Sequence, residues 1–318
     1  AFAGKTQTDE LAFSMMGMNA HFPPPVNPRA PERVTGGSSS GSAAAVAGGL
    51  ADFAIGSDTN GSVRIPASFC GLIGLRTTHG RISMEGAMPL APSFDTFGWF
   101  ARDTRTYEAV GEVLLGEDFH GETLRTPVRI SEFEARLFGQ AESAAYGEML
   151  GRVLDHFGKS AGYVALPGEI EDLYECFRQI QAHEAWLSQA HFLSQRDREL
   201  GPGVKERFAY GRSISDETAE DARRRRREFQ ADFNALMRPD MAVVMPTQPS
   251  AAPLKIATLE EQESYRHRGL ALTCIAGLLG WPQISIPLGE VHGAPFGISL
   301  LGPAGSDRQL IRLASKIL

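Results

Sequence analysis

Two short stretches hold the hydroxyls best placed to do chemistry: GGSSSGS, Gly36 to Ser42, and DTNGSVR, Asp58 to Arg64. A serine hydroxyl ionises far above neutral pH. As a nucleophile it needs a proton acceptor within hydrogen-bond reach and backbone N–H groups aimed at the oxyanion that forms. In TNGS, residues 59 to 62, an inward-facing turn would supply such N–H groups beside Ser62, with little side-chain bulk in the way. A plain hairpin or strand-to-helix turn is the other reading, because Asn-Gly is a common turn dipeptide. GGSSSGS reads equally as a flexible linker, and Gly37 to Gly41 fits the G-x-S-x-G nucleophile-elbow pattern. That elbow follows an apolar strand, and PRAPERVT is not one, although a helix does follow. As a phosphate cradle the run fails, since no G-K-[ST] closes it.

The elements that must position these residues are legible around them. FPPPVNPRAPER, Phe22 to Arg33, is too proline-rich for a ladder or a helix interior, so a loop leads into the serines. SAAAVAGGL, Ser42 to Leu50, suits a short helix close against a sheet, capped by Ser39 or Ser40. DFAIGSD then reads as a buried strand entering the Asn-Gly turn, and GLIGLRTTHGRIS, 71 to 83, as another strand and loop. Amphipathic helical spacing follows over Ser143 to Phe157, Glu169 to Gln195 and Thr218 to Leu236. A buried strand ending in a Pro-rich loop over Asp240 to Pro253, an apolar helix over Tyr265 to Leu279, and the strands GWPQISIPLG and APFGISLLGP close the chain. Strands, helices and strands again predict one α/β domain over 1–318, with a central mixed, twisted sheet completed by both chain ends and flanked by helices. The helical middle region lies at about 140–237.

Composition excludes several functions. The 318 residues carry a formal charge of −7, with acids and bases interspersed and no polybasic tail, which speaks against nucleic acid. The longest apolar runs are too short and too glycine-rich for a bilayer. Three cysteines, Cys70, Cys176 and Cys274, stand far apart with no C-x-x-C, which points to neither a disulfide framework nor a zinc site and suits the cytoplasm. His183-Glu184 is no zincin motif, because Leu187 takes the second histidine's place, and it reads as an exposed helix pair. The run Arg223 to Arg227 has Glu220, Asp221 and Glu228 beside it and reads as a solvated, internally paired face.

Taken together, GGSSSGSAAAVAGGLADFAIGSDTNGSVRIPASFCGLIGLRTTHGRIS, Gly36 to Ser83, resembles the signature segment of the amidase signature family. GKTQTDEL at 4 to 11, SFDTFGWFARD at 93 to 103 and the closing strands extend the likeness over both ends of the fold, while the helical middle is generic. The resemblance implies a Ser-cis-Ser-Lys triad. Ser62 is then the nucleophile and Ser38, 24 positions earlier (62 − 38), the bridging serine with a cis peptide bond. Thr59, Asn60, Gly61 and Ser62 would supply the oxyanion N–H groups, Ser39 would support the network, and Asp58 and Arg64 would hold the turn. A surface salt bridge is the alternative for that last pair. Asn60 stands where the family more often has glycine.

The family's catalytic lysine lies on a strand well before the GKT segment, so the resemblance places it upstream of residue 1, in an N-terminal segment this chain is expected to lack. Lys5 belongs to the approach motif and is not that base. The implied reaction is hydrolysis of a carboxylic amide through a seryl acyl-enzyme, with no metal or cofactor. NAH at 19 to 21 and SSSGSAAAVA are similar to indole-3-acetamide hydrolase-like members, which implies an aryl or arylacetyl amide. Met84, Met88, Phe94, Phe97 and Trp281 are the apolar candidates for its pocket, each equally able to be core. The alternatives are a glutaminase-like component that donates ammonia within an amidotransferase, and a non-catalytic member without the lysine. A homodimer stays open.

Overall fold

The computed structural model describes residues 1–318. In chain order the elements are α1 (Ser40–Ala47), β1 (Phe53–Asp58), α2 (Arg64–Cys70), β2 (Ile73–Arg76), β3 (Thr96–Ala101), α3 (Thr104–Leu115), β4 (Thr126–Arg129), α4 (Ser131–Glu134) and α5 (Gln140–Phe157). Then come β5 (Gly162–Tyr163), α6 (Ile170–Ser194), α7 (Val204–Ser213), α8 (Asp216–Leu236), β6 (Met241–Pro246), α9 (Leu259–Leu279), β7 (Gln283–Val291), β8 (Ala294–Leu301) and α10 (Asp307–Ile317).

The strands form one eight-stranded sheet in the order β1-β3-β2-β7-β8-β6-β4-β5. It is mixed: β4 pairs parallel with β5 and β6, and all other pairs are antiparallel. The first hundred residues join the last through one ladder, in which Gly74, Leu75 and Arg76 of β2 face Ser285, Ile284 and Gln283 of β7. The sheet is therefore completed by both ends of the chain, as the strand-helix-strand pattern predicts.

Two apolar cores lie on opposite faces of that sheet, and the period-2 alternation of a strand shows why. In β6, Met241, Val243 and Met245 point into a core with α6, α8 and α9, while Ala242 and Val244 point into a second core with α3, α5 and α10. Helix α9 is buried from Gly269 to Leu279, as a helix apolar on every side must be. It starts six residues before the expected Tyr265, because Thr258 and Glu261 close a capping box there.

Four expectations need correction. DFAIGSD forms β1 but not as a buried strand: it is the edge strand of the sheet, with Phe53 and Ile55 exposed. His183 is 5% exposed and bonds Asp216 at 3.0 Å, and Glu184 accepts the Ser93 N–H at 2.9 Å, so the pair is packed against its neighbours and not exposed. The arginine run is internally paired for Arg224, Arg225 and Arg227, but Arg226 turns inward. It donates to the carbonyls of Ser93, Gly277 and Leu278 and stacks over Phe94. Neither Ser39 nor Ser40 caps α1 through its side chain: Ser39 Oγ donates instead to the Ser57 carbonyl at 3.3 Å, and Ser40 Oγ is buried without a partner. The three cysteines are buried and unpaired, and no helix is long and apolar enough to cross a membrane.

Candidate active site

β1 delivers Asp58 to the end of the sheet, and the chain then turns through Thr59, Asn60, Gly61 and Ser62 into α2. The turn is built around the Asp58 carboxylate, which is fully buried. Oδ1 accepts the Gly61 N–H at 2.8 Å, and Oδ2 accepts those of Val63 and Arg64 at 3.2 and 3.3 Å, which satisfies N–H groups at the start of α2. Arg64, equally buried, grips both carboxylate oxygens through Nε and Nη2 at 3.0 and 2.8 Å. Arg76 donates to the Asp58 carbonyl at 2.6 Å and to Oδ1 at 3.3 Å. Burial alone would raise the Asp58 pKa, but the charges and hydrogen bonds of Arg64, with Arg76, hold it well below the usual carboxylate range. Burial and the Arg64 charge bring Arg76 down to about 10, against the pull of Asp58. The expected alternative of a surface pair is thus excluded.

Gly61 can be nothing else. Its φ is +101°, and a Cβ there would lie 2.7 Å from Ile65 Cδ1. Its N–H is committed to Asp58, which narrows the expected four-donor oxyanion pocket: the N–H groups of Thr59, Asn60 and Ser62 have no protein acceptor, and that of Gly61 has one. Asn60 is pinned by Thr273, whose Oγ1 donates towards Asn60 O and Oδ1 at 3.2 and 3.0 Å, while Asn60 Nδ2 is buried with no partner. Thr59 Oγ1 donates to Asp95 Oδ1 at 2.6 Å, and Asp95 also accepts the N–H groups of Leu90 and Ala91.

The serine run meets this turn directly. Ser39 N–H donates to the Ser62 carbonyl at 3.4 Å, and the Gly37–Ser38 peptide bond is cis, as the resemblance implies. The approach segment clamps the run from the other side: Gly37 N donates to Met15 O at 2.8 Å, Asp9 N to Ser38 O at 2.9 Å and Gly41 N to Gln7 O at 2.9 Å. Ser38 and Ser62 are 1% and 8% exposed, and neither hydroxyl makes a hydrogen bond to a protein group. Lys5 is exposed.

Ser62 opens into a narrow cleft of about 20 Å³ that it shares with Thr59, Asn60, Phe13, Gln181 and Arg266. Through Ala12 and Thr59 this cleft adjoins an apolar cavity of about 230 Å³ holding Met84, Ala87, Met88, Leu90 and Phe97. Through Phe13, Gln181 and Arg266 it adjoins a cavity of about 570 Å³ lined by both charged and apolar side chains. Of the five apolar candidates, Met84, Met88 and Phe97 line the first cavity. Phe94 and Trp281 do not: Phe94 stacks on Phe177 at 4.2 Å and Trp281 on Phe233 at 5.4 Å, both within the core. Arg76, Asp95 and Thr273 were not anticipated. Their only sequence signal is a polar residue within an otherwise apolar strand, turn or helix.

Comparison with known proteins bears on the family and the fold. The family described as Amidase matches residues 1–143 and 162–311. The chain is 37% identical over 344 residues to Amidase 1 of Arabidopsis thaliana, covering 99% of this chain and 81% of that one. It is 33% identical over 331 residues to 2-amino-5-chloromuconic acid deaminase of Comamonas testosteroni, covering 98% and 70%. A solved structure described as an amidase superposes with a TM-score of 0.86 at 30% identity, covering 98% of this chain and 72% of that one. The chain belongs to the amidase signature family of hydrolases.

Proposed function

We propose that the protein hydrolyses an aryl or arylacetyl amide, of which indole-3-acetamide is the type, to the acid and ammonia, with Ser62 as nucleophile and Ser38 as relay. The observation that carries this reading is the Asp58-centred turn, which leaves three N–H groups without acceptors beside the Ser62 hydroxyl. Ser62 Oγ attacks the amide carbonyl while its proton passes to Ser38 Oγ, whose own proton goes on to the lysine that the family resemblance calls for. The N–H groups of Thr59, Asn60 and Ser62 take up the oxyanion charge, a contribution of the order of 3–4 kcal/mol per donor in comparable sites. Collapse breaks the C–N bond, the leaving nitrogen takes the proton and departs as ammonia, and water then cleaves the acyl-Ser62 ester by the same relay.

The apolar cavity supports an aromatic acyl group, since Met84 and Met88 offer polarisable sulfur and Phe97 a ring face. Ammonia release by the full-length gene product from phenylacetamide and indole-3-acetamide, set against propionamide, tests the proposal. Turnover of the arylacetamides at higher kcat/KM is expected; turnover of propionamide alone would overturn the substrate class.

A further inference from the structure

The cavity of about 570 Å³ that adjoins the Ser62 cleft is lined, among apolar side chains, by three arginines, Arg178, Arg207 and Arg266, and two acids, Glu206 and Glu263. Their partners differ. Arg178 is satisfied by Glu175 at 2.7 Å and lies over the Tyr210 ring. Glu206 is committed to the Gly203 N–H at 2.5 Å. Glu263 points largely to solvent, 67% exposed, and reaches Arg266 only at 3.8 Å. Arg207 and Arg266 make no hydrogen bond to any protein group, and Arg207 Nε is buried without an acceptor. Burial, then the neighbouring Arg266 charge, brings Arg207 down to about 10, against the pull of Glu263, Asp9 and Glu206. Carboxylates lie near both cations, yet neither guanidinium spends a hydrogen bond on them, so the two arginines on one cavity form a receptor for a carboxylate that can accept from them directly. Gln181, whose amide is likewise unbonded, stands between them and Ser62 as part of both cavities.

Two arms thus adjoin the Ser62 cleft, the Met84, Met88 and Phe97 cavity through Ala12 and Thr59 and the Arg207 and Arg266 cavity through Phe13, Gln181 and Arg266. We infer that the enzyme also cleaves secondary amides whose leaving amine carries a carboxylate: N-arylacetyl amino acids, with the aryl group in the apolar arm and the carboxylate on Arg266 and Arg207. This rests on the arylacetyl reading for the apolar arm. Ser62 takes the acyl group, the C–N bond breaks, and the amino acid leaves after its nitrogen gains the relayed proton. Water then releases the arylacetate.

Calorimetric titration of Ser62→Ala protein with N-phenylacetylglycine and its neutral isostere N-phenylacetylglycinamide reads the subsite without turnover. The glycine conjugate is expected to bind about tenfold tighter or better, as one charge-assisted contact provides. That ratio should fall towards one with Arg266→Gln added, and also in unmutated Arg266 protein at high salt. Equal affinities for the two ligands, or a ratio that survives both Arg266→Gln and salt, would overturn the inference. Hydrolysis assays on the protein with Ser62 intact separate the two readings. Ammonia released from phenylacetamide with no carboxylate preference in binding removes the anion subsite alone. Carboxylate preference with no hydrolysis of any arylacetyl amide removes the functional reading and, with it, the cleavage inferred here.

Discussion

Six hydrogen bonds converge on the Asp58 carboxylate, from three backbone N–H groups, Arg64 twice and Arg76. Removing its charge leaves two guanidinium groups buried without their counter-ion, so Asp58→Asn should cost about 3–5 kcal/mol of stability in urea titration. Because the folded carboxyl is depressed, its contribution is complete above the unfolded pKa near 3.9 and is lost as the pH falls through the lower folded value. Asp9 has the opposite sign. Burial raises it to about 6, against the Gly17 N–H bond at 3.0 Å, the nearby Ser14 hydroxyl and the charge of Arg207. Its contribution is complete below its unfolded pKa and is lost as the pH rises through about 6. Asp9→Asn should therefore gain stability relative to the unmutated protein between pH 4 and 7, by about 1–3 kcal/mol, read from paired denaturation curves. The roles proposed for Ser38 and Ser62 come from the resemblance of Gly36 to Ser83 to the amidase signature segment; hydroxyl, glycine and spacing alone left a plain turn at TNGS and a linker at GGSSSGS equally open. The commitment of Gly61 N–H to Asp58 was not, since it depends on the direction of one N–H bond.

The signature strands and helices pack at backbone contact distance, and their glycines make this possible. A Cβ at Gly98 of β3 would lie 2.1 Å from the Leu75 carbonyl oxygen of β2, and one at Gly56 of β1 would lie 2.6 Å from Ser39 Oγ. The first obstacle is backbone and cannot swing away. Gly98→Ala should therefore cost about 3 kcal/mol or more and reduce soluble yield. Gly147, on the exposed face of α5 with nothing within 4 Å, behaves in the other direction: Gly147→Ala should gain about 0.5–1 kcal/mol in the same titration. The long helices and the closing strands were legible from periodicity, although their ends moved by several residues at α9. Strand β4 was not, because TPVR is four residues long with a proline inside it. Helix α7 was missed as well, since its mix of charge and small residues gives only a weak apolar stripe.

At the scale of the molecule, both chain ends share one sheet, so its two faces should unfold together. Trp99 lies in the core with α3, α5 and α10, and Trp281 in the core with α6, α8 and α9. Fluorescence of proteins retaining only Trp99 or only Trp281 should give coincident urea midpoints once each is referred to its own stability; separated transitions in either protein would show that the faces are independent. The strand-helix-strand order made the shared sheet legible. The two cavities could not be read in advance, because Arg207 from α7 shares one of them with Arg266 from α9, and Met84 from the loop after β2 shares the other with Phe97 of β3, pairings that no local pattern writes. The central claim is that Ser62, and not a hydroxyl of the GGSSSGS run, attacks the carbonyl. Treating the full-length gene product with a fluorophosphonate and mapping the adduct by peptide mass spectrometry tests it most directly. The label should sit on Ser62 and disappear in Ser62→Ala; a label on Ser38, Ser39 or Ser40 that persists in Ser62→Ala would contradict the account.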